Sequence, residues 1–481
     1  MTGAIVRYRR WLYVALGLIL LVPVAMLGAH AYRRVPGSAT ITIDPGREDQ
    51  TIRGWEATAE AGLDEPVSHA YIPELVDNAL AFGLTRLRVE VRSSYENTRD
   101  IEREFREGKI TAKEWRCQRY ATVNDNDDSK VLAPGGFQWA RLDKVIEDVV
   151  VPFKAKLEQS GEHFWLNLQY VAFTNDLCEG GRYVHEDPKE YAEFVLAVYQ
   201  HLKEKYSLTP DSWDMMLEPD NTRLWTAEKL AAAMEQTASR LQAAGFTPAF
   251  IAPSTASSQN AVPFFDEIWS HSKIRPFWKE LSYHRYDYAG QDVIAGIGRT
   301  GQAHHLDTAM LEFINAGYDR LHEDLTLGRV STWQQYVLGF PEKDTGAHYF
   351  IVEPDAPEGK RVRLSASGHY LRQYFQAFKP GAKRIAAASD ASDYQAVAVR
   401  DRRGPIAVVV KADRPGEITI KRLPAGKYQV SCWTDVSRSD DAAERCVRTA
   451  TVDDDGTLVA TSPGIGVLSI VGEGIAGAGG K

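Results

Sequence analysis

The sequence predicts an α/β protein: a (β/α)8 TIM barrel with a C-terminal antiparallel β-sandwich and an N-terminal transmembrane helix. Strand-like apolar runs alternate with amphipathic runs over about three hundred residues, which is typical of a barrel with insertions. From about residue 385 the runs become short and are separated by Gly, Pro or Asp, as in a sandwich. A chain of 481 residues has room for two or three domains.

Eight strands are expected in the barrel segment, and amphipathic helices lie between them. The predicted strands are Ile52–Trp55, Thr85–Arg92, Phe164–Val171, Trp213–Leu217, Ala249–Pro253, Glu280–His284, Thr308–Leu311 and Ala347–Val352. The predicted helices include Trp139–Leu157, Pro188–Lys205, Ala227–Ala244 and Val330–Leu338.

The sandwich segment contains six alternating runs. They are Tyr394–Val399, Ile406–Lys411, Glu417–Ile420, Lys427–Trp433, Arg448–Val452 and Gly466–Val471. An early run, Thr40–Ile43, is expected to join this sheet, because a strand in front of the barrel needs neighbours. The predicted organisation is an anchor over 1–36, a sandwich strand over 37–48, the barrel over 49–384, the sandwich over 385–472 and a disordered tail over 473–481.

The first 36 residues have the pattern of a membrane anchor. Three arginines precede the uncharged stretch Trp11–Tyr32 and two follow it. The stretch is long enough to span a bilayer, and basic residues before it favour a cytoplasmic N-terminus. Ala29-His30-Ala31 also fits a signal-peptide cleavage site, so secretion after cleavage is the alternative. Both predict an extracytoplasmic body, anchored to the inner membrane in the first case.

The cysteines and the net charge narrow the functional classes. Four cysteines suit an oxidising compartment, with Cys432–Cys446 and Cys117–Cys178 as candidate disulfides and free buried thiols as the alternative. No metal site is predicted, because the cysteines lack metal-ligand spacing and Asn124–Asp128 lacks the spacing of an EF-hand. A net charge of −9 without a long basic run makes nucleic acid an unexpected partner.

Two carboxylates, Glu218 and Glu312, close apolar runs that read as strands. An acidic residue in such a setting is costly to desolvate, so it lies at a strand mouth or is held there for chemistry. Pro219 indicates that Glu218 lies at a strand mouth, because proline tends to end a central strand. Two converging carboxylates are what glycosidic cleavage requires. Ion-paired strand ends are the alternative.

Several motifs resemble the retaining glycoside hydrolases of clan A, most closely families 30 and 39. Gln50-Thr-Ile-Arg-Gly54 resembles the opening motif of family 30, and Leu217-Glu218-Pro219 resembles the strand-four signature that carries the acid/base. Leu311-Glu312-Phe313 is similar to the strand-seven nucleophile segment. The passage Tyr370–Ile385 resembles the family's crossing from barrel to sandwich.

The resemblance implies roles for the residues that match. Glu218, with a raised pKa, would be the acid/base, and Glu312 the nucleophile, held ionised by Arg88 and Tyr286. The remaining candidates for substrate binding or support are His284, Asn221, Trp225 and Trp333. A polysaccharide or oligosaccharide substrate is implied, without a cofactor. The alternatives are a structural ion pair for Arg88, a packing role for Tyr286, a satisfied strand histidine for His284, and plain loop structure for the others.

Leu217 departs from the family, which has asparagine before the acid/base. That asparagine contacts the sugar 2-hydroxyl, and leucine cannot. The substrate would then lack a free 2-hydroxyl, carry a bulky 2-substituent or bind in another orientation. A catalytically silent glycan-binding protein of a polysaccharide assembly or export complex is the alternative from another class. A transglycosylase would use the same residues as the hydrolase.

Overall fold

The computed structural model describes residues 35–65, 67–436 and 446–474. Within these ranges no helix is long and apolar enough to cross a bilayer. The predicted anchor Trp11–Tyr32 lies outside the described residues, as does most of the predicted tail. The chain divides into two compact units. One spans Asp49–Arg384, and the other combines the described residues before Asp49 with the described residues after Arg384.

Eight parallel strands close into a barrel in the first unit, which confirms the α/β barrel prediction. In chain order they are β2 (Gly54–Thr58), β3 (Arg86–Arg92), β4 (Trp165–Val171), β5 (Ser212–Asp214), β6 (Phe250–Thr255), β7 (Trp278–His284), β8 (Asp307–Glu312) and β9 (Val330–Trp333). Each strand pairs with the next, and β9 returns to β2. The carboxyl ends of all eight strands therefore open at one face, where barrel active sites lie.

Helices connect the strands, and their starts follow capping chemistry. They are α1 (Ser68–Phe82), α2 (Ile101–Arg106), α3 (Ala112–Gln118), α4 (Ala140–Val145), α5 (Val151–Gln159), α6 (Pro188–Tyr206), α7 (Ala227–Ala243), α8 (Ser258–Trp269), α9 (Gln291–His304), α10 (Tyr318–Glu323) and α11 (Ala366–Ala377). A single π-turn, Ile146–Val150, joins α4 to α5. The Asp187 carboxylate caps α6 by accepting from the Lys189 amide at 2.8 Å, and Pro188 fits its first position.

The eighth barrel strand is not the predicted one. The segment Val330–Trp333 is β9 rather than the start of a helix. Its apolar residues recur at helical spacing, but Thr332 faces the barrel interior and hydrogen-bonds with Arg86 and Glu280. The predicted strand Ala347–Val352 instead supplies β10 (Phe350–Val352), which pairs only with β11 (Val362–Leu364).

A buried ion network fills the middle of the barrel below the carboxyl ends. Arg86 donates to Glu56 at 2.8 Å and to Glu280 at 2.6 Å, and all three side chains are almost fully buried. Removing one partner of such a network leaves a buried charge uncompensated, which costs about 3–5 kcal/mol. The network therefore forms a rigid floor for the side chains above it.

The second unit is one nine-stranded sheet, in the order β17-β16-β19-β14-β13-β12-β1-β15-β18. Its strands are β1 (Gly37–Thr51), β12 (Lys383–Ser389), β13 (Tyr394–Arg400), β14 (Ile406–Ala412), β15 (Gly416–Lys421), β16 (Gly426–Thr434), β17 (Arg448–Val452), β18 (Leu458–Ser462) and β19 (Gly466–Gly472). The pairs β13–β14, β14–β19, β15–β18, β16–β17 and β16–β19 are antiparallel, whereas β1 joins β15 in parallel.

The predicted antiparallel sandwich is built from a single sheet. The strands of the nine-stranded sheet contribute to one shared core, and the edge strands β17 and β18 contact each other. The sheet therefore folds over onto itself. The strands β12 and β18 were not predicted, because their runs are more exposed than those of the central strands.

Both predicted disulfides are present. Cys432–Cys446 ties β16 to the segment just before β17, and Cys117–Cys178 ties α3 to the loop after β4. The described residues contain no free cysteine. Structural disulfides of this kind persist in oxidising compartments, so the pairings fit an extracytoplasmic protein.

Candidate active site

Glu218 lies beyond the end of β5, where the backbone turns sharply. Its φ of 52° and ψ of 61° place a non-glycine residue in the left-handed region, immediately before Pro219. This conformation is costly for a residue with a side chain, and such strain collects at functional sites. The Glu218 amide donates to the Ser254 carbonyl at 3.0 Å, which fixes the turn. The carboxylate is 7% exposed.

Glu312 is the last residue of β8 and is held from two sides. The Arg88 guanidinium donates to Oε2 at 2.5 Å, and the Tyr286 hydroxyl donates to Oε1 at 2.8 Å. Arg88 is itself fixed by Thr58 Oγ1 at 2.9 Å and by the Leu311 carbonyl at 3.1 Å. The Glu312 carboxylate thus has one orientation and a permanent cation beside it, as Arg stays charged in proteins.

His284 lies close to both carboxylates and pairs with Glu218. A register shift between Tyr283 and His284 sets His284 opposite Glu312 on the neighbouring strand, and such bulges re-aim side chains near sites. Its Nδ1 lies 2.9 Å from Glu218 Oε1. One oxygen of each carboxylate and one ring nitrogen of His284 all lie within 4.8 Å of one another. The predicted pair therefore converges on one point.

The pKa of Glu218 is the reverse of the sequence-based expectation. Burial raises it, but the hydrogen bond and charge of His284 and the bond from Asn221 outweigh burial, so the pKa is lowered from its ordinary value. The Asn221 amide donates to Oε2 at 2.6 Å. Hydrogen bonds donated to the charged form favour that form. The sequence could not show that both oxygens already accept bonds.

A third acid, Asp214, lies in the buried layer that supports the pair. It accepts from Gln169 at 2.8 Å and from Ser254, the residue whose carbonyl fixes the Glu218 amide. Burial raises the pKa of Asp214 to about 7. Sequence analysis overlooked this residue, although an aspartate inside the apolar run at Trp213–Met216 was a visible signal.

Three other predicted candidates remain. One of them lies next to the two glutamates, and the other two support the structure around them. Asn221 contacts Glu218 directly, as described above. Trp225 is 4% exposed and its indole donates to the Tyr183 hydroxyl, so it supports the surrounding loops. Trp333 is fully buried and donates to Asp324 at 3.0 Å, which favours the supporting role over direct contact with substrate.

Leu217 belongs to an apolar wall beside Glu218. It is 5% exposed and packs with Tyr120 and Val171, against which Phe173 and Leu177 also pack. Tyr120 and Leu177 lie close in sequence to Cys117 and Cys178, so the disulfide joins the two segments that form this wall.

A cavity of about 680 Å³ adjoins the apolar wall, and Leu177, Tyr183 and Arg223 are among its lining residues. The Asn175 amide, also in the lining, donates to the Asn221 carbonyl at 2.7 Å. The cavity therefore lies on the Glu218 side of the pair.

The pair and His284 have the donor types and spacing that could hold a metal ion. Their atoms already have other partners, however, because Arg88 and Tyr286 occupy both oxygens of Glu312. A divalent cation there would sit close to the buried Arg88 guanidinium, which opposes binding. The arrangement suits acid–base and nucleophilic chemistry better.

Comparison with known proteins supports the resemblance at the level of fold. No family model and no curated protein matches the chain. Solved structures do match. The catalytic domain of GH30 xylanase C from Talaromyces cellulolyticus has a TM-score of 0.62 at 14% identity, covering 90% of this chain and 99% of its own.

Two further neighbours extend the comparison. SrfJ from Salmonella typhimurium has a TM-score of 0.64 at 12% identity, with 90% and 92% coverage of this chain and its own. The GH39 enzyme from Xanthomonas axonopodis pv. citri has a TM-score of 0.53 at 13% identity, with 91% and 97% coverage.

The chain has the fold of the clan A glycoside hydrolases. At these identities the likeness concerns the fold, and the chemistry must be argued from the site itself.

Proposed function

We propose that this protein is a retaining glycosidase that cleaves a glycosidic bond in a polysaccharide or oligosaccharide by double displacement. Glu312 is the nucleophile and Glu218 the acid/base. The observation that carries the proposal is the approach of the two carboxylates, which have oxygens within 4.8 Å. Retaining enzymes hold the two groups about 5–5.5 Å apart, whereas inverting enzymes leave about 6.5–9.5 Å for a water molecule.

The partners of each carboxylate match its proposed role. Glu312 is fixed by Arg88 and Tyr286 and has no freedom to turn away, as a nucleophile requires. It attacks the anomeric carbon while Glu218 gives a proton to the leaving oxygen. Glu218 then takes a proton from water as the water oxygen bonds to the anomeric carbon and displaces Glu312, so the sugar leaves with its configuration retained.

The lowered pKa of Glu218 suits the second step, in which the residue is a base. The first step needs its protonated form. A bound sugar covers the carboxyl and excludes water, and desolvation disfavours the charged form. The acid therefore forms in the substrate complex.

The test is a pair of variants with different expected defects. Glu312→Ala abolishes hydrolysis, and azide or formate partly restores it by filling the space of the lost carboxylate. Glu218→Ala slows substrates with poor leaving groups far more than activated aryl glycosides, which barely need protonation. Identical behaviour of the two variants would reject the assigned roles.

A silent glycan-binding protein is the second candidate, and Leu217 favours it. Leucine in the apolar wall removes the polar contact that the family makes with the sugar 2-hydroxyl. The hydrogen bonds that hold both carboxylates argue against a silent protein. Reducing-sugar release from a panel of bacterial exopolysaccharides separates the two, and transfer products would reveal a transglycosylase.

We further propose that the two units lie outside the cytoplasm, anchored to the inner membrane by the segment Trp11–Tyr32. The two disulfides and the basic residues before that segment support this. Protease digestion of intact spheroplasts should remove the protein. Protection until lysis would contradict the location.

A further inference from the structure

We propose that Glu90 selects the sugar bound on the Glu312 side of the site: it accepts hydrogen bonds from a neutral or amino sugar and excludes anionic sugars such as uronic acids. The inference rests on the proposed function. Glu90 takes no part in the mechanism proposed there.

Glu90 lies on the barrel-facing side of β3. Side chains alternate along a strand, so Glu90 shares a face with Arg86 and Arg88. Arg86 belongs to the buried floor and Arg88 holds Glu312 one level higher. Glu90 is the next residue on this face toward the barrel mouth, and unlike those two arginines it is partly exposed. It thus stands where a substrate enters.

The surroundings place Glu90 beside the nucleophile. The Glu90 carboxylate interacts electrostatically with Glu312 and Arg88. It is also the main reason why the pKa of Tyr336 is raised, ahead of burial. Tyr336 is partly exposed, and its ring lies 5.6 Å from the Arg88 guanidinium. Glu90 therefore belongs to the wall of the barrel next to Arg88, with which it lines one cavity.

No hydrogen bond or ion pair to Glu90 exists among the described residues, although cations are close. Each neighbouring arginine has another carboxylate: Arg88 binds Glu312, and Arg92 binds Glu102. Arg141 binds Glu60 at 3.0 Å and Asp64 at 3.1 Å. Glu90 is thus the carboxylate left without a direct partner, and burial raises its pKa.

An unpaired, partly desolvated acid is costly unless a ligand supplies donors. Sugar hydroxyls and the ammonium of an amino sugar are such donors. A uronate carboxylate would meet Glu90 and Glu312 together, and like charges at close range repel. The wall therefore favours O–H or N–H groups and disfavours a second anion.

The test measures the binding of three matched probes, methyl glucoside, methyl glucosaminide and methyl glucuronide, together with their galacto and manno counterparts. Calorimetry compares the native protein with Glu90→Gln and with Glu60→Gln, a control whose carboxylate already pairs with Arg141. We expect native protein to bind a neutral or amino member and to reject the uronide. Glu90→Gln should weaken binding of the neutral or amino probe by about 10-fold or more. The difference in affinity between that probe and the uronide should become smaller. Glu60→Gln should keep the native preference.

Three results would overturn the role of Glu90: a uronide bound as tightly as its neutral match, an unchanged preference in Glu90→Gln, or no binding of any neutral or amino probe. A Tm of Glu90→Gln close to native separates selection from misfolding. Because binding needs no turnover, the two proposals fail separately. Selective binding without hydrolysis would reject the glycosidase and leave Glu90 standing, whereas hydrolysis with unaltered selection would do the reverse.

Discussion

Replacement of Tyr286 by phenylalanine tests how Glu312 is positioned. The hydroxyl donates to Oε1 at 2.8 Å, and Arg88 holds the other oxygen. Tyr286→Phe removes one donor and leaves the carboxylate fixed at a single oxygen. A hydrogen bond to a charged group contributes about 1.5–3 kcal/mol. If the transition state loses this amount, kcat/KM falls by about 10- to 150-fold.

Tyr283→Phe is the matched control. Tyr283 lies on β7, three residues before Tyr286, but its hydroxyl donates to Asp324 at 2.9 Å and is buried away from the pair. Its removal should lower the free energy of unfolding by about 1–3 kcal/mol and leave kcat/KM unchanged. Tyr286→Phe should do the opposite, with a near-native Tm.

The assay is initial-rate hydrolysis of aryl glycosides together with thermal unfolding of each variant. An unchanged kcat/KM in Tyr286→Phe would refute the positioning role. So would an equal loss of activity in both variants, because the effect would then reflect general packing rather than the orientation of Glu312.

The remaining predictions concern the acid/base side of the site and the two disulfides. Leu217→Asn should retain turnover and shift preference between substrates that differ at the 2-position, so an unchanged ranking would remove the 2-hydroxyl argument. The pKa of free Glu218 is lowered, so kcat/KM should fall with rising pH at a lower pH than an ordinary glutamic acid gives. His284→Phe removes a donor to the carboxylate, which raises this pKa and moves that limb to higher pH; a limb that stays fixed would exclude His284. The double variant Cys117→Ser with Cys178→Ser should lose about 4 kcal/mol of stability, and its KM should rise because the wall at Leu217 is disturbed. The double variant Cys432→Ser with Cys446→Ser should lose about 3 kcal/mol, and its KM should not change. Equal KM in the two double variants would contradict the wall.

Sequence patterns were sufficient for the barrel because its strands are short apolar runs separated by long amphipathic helices. They failed at Val330–Trp333, where the apolar spacing matches a helix and only the contacts of Thr332 inside the barrel decide for a strand. The folding of the sheet onto itself could not be predicted either, since strand order depends on contacts between residues that are distant in sequence.

The sequence predicted those site residues that both match a family motif and lie at the end of a strand. Glu218, Glu312, Arg88 and Tyr286 converge because consecutive strand ends open on one face. The pKa direction of Glu218 was wrong, because it depends on two donors whose placement only the fold defines. The sequence could not say whether Trp333 binds substrate or supports the site, because a strand-end position does not show which way a side chain points. Glu90 gave no motif signal.

The anomeric configuration of the first product tests the central claim most directly. Proton NMR during hydrolysis by the native protein records which anomer forms before mutarotation. Double displacement through Glu312 predicts the same configuration as the substrate. Initial release of the opposite anomer would contradict the nucleophilic role of Glu312 and the mechanism built on it.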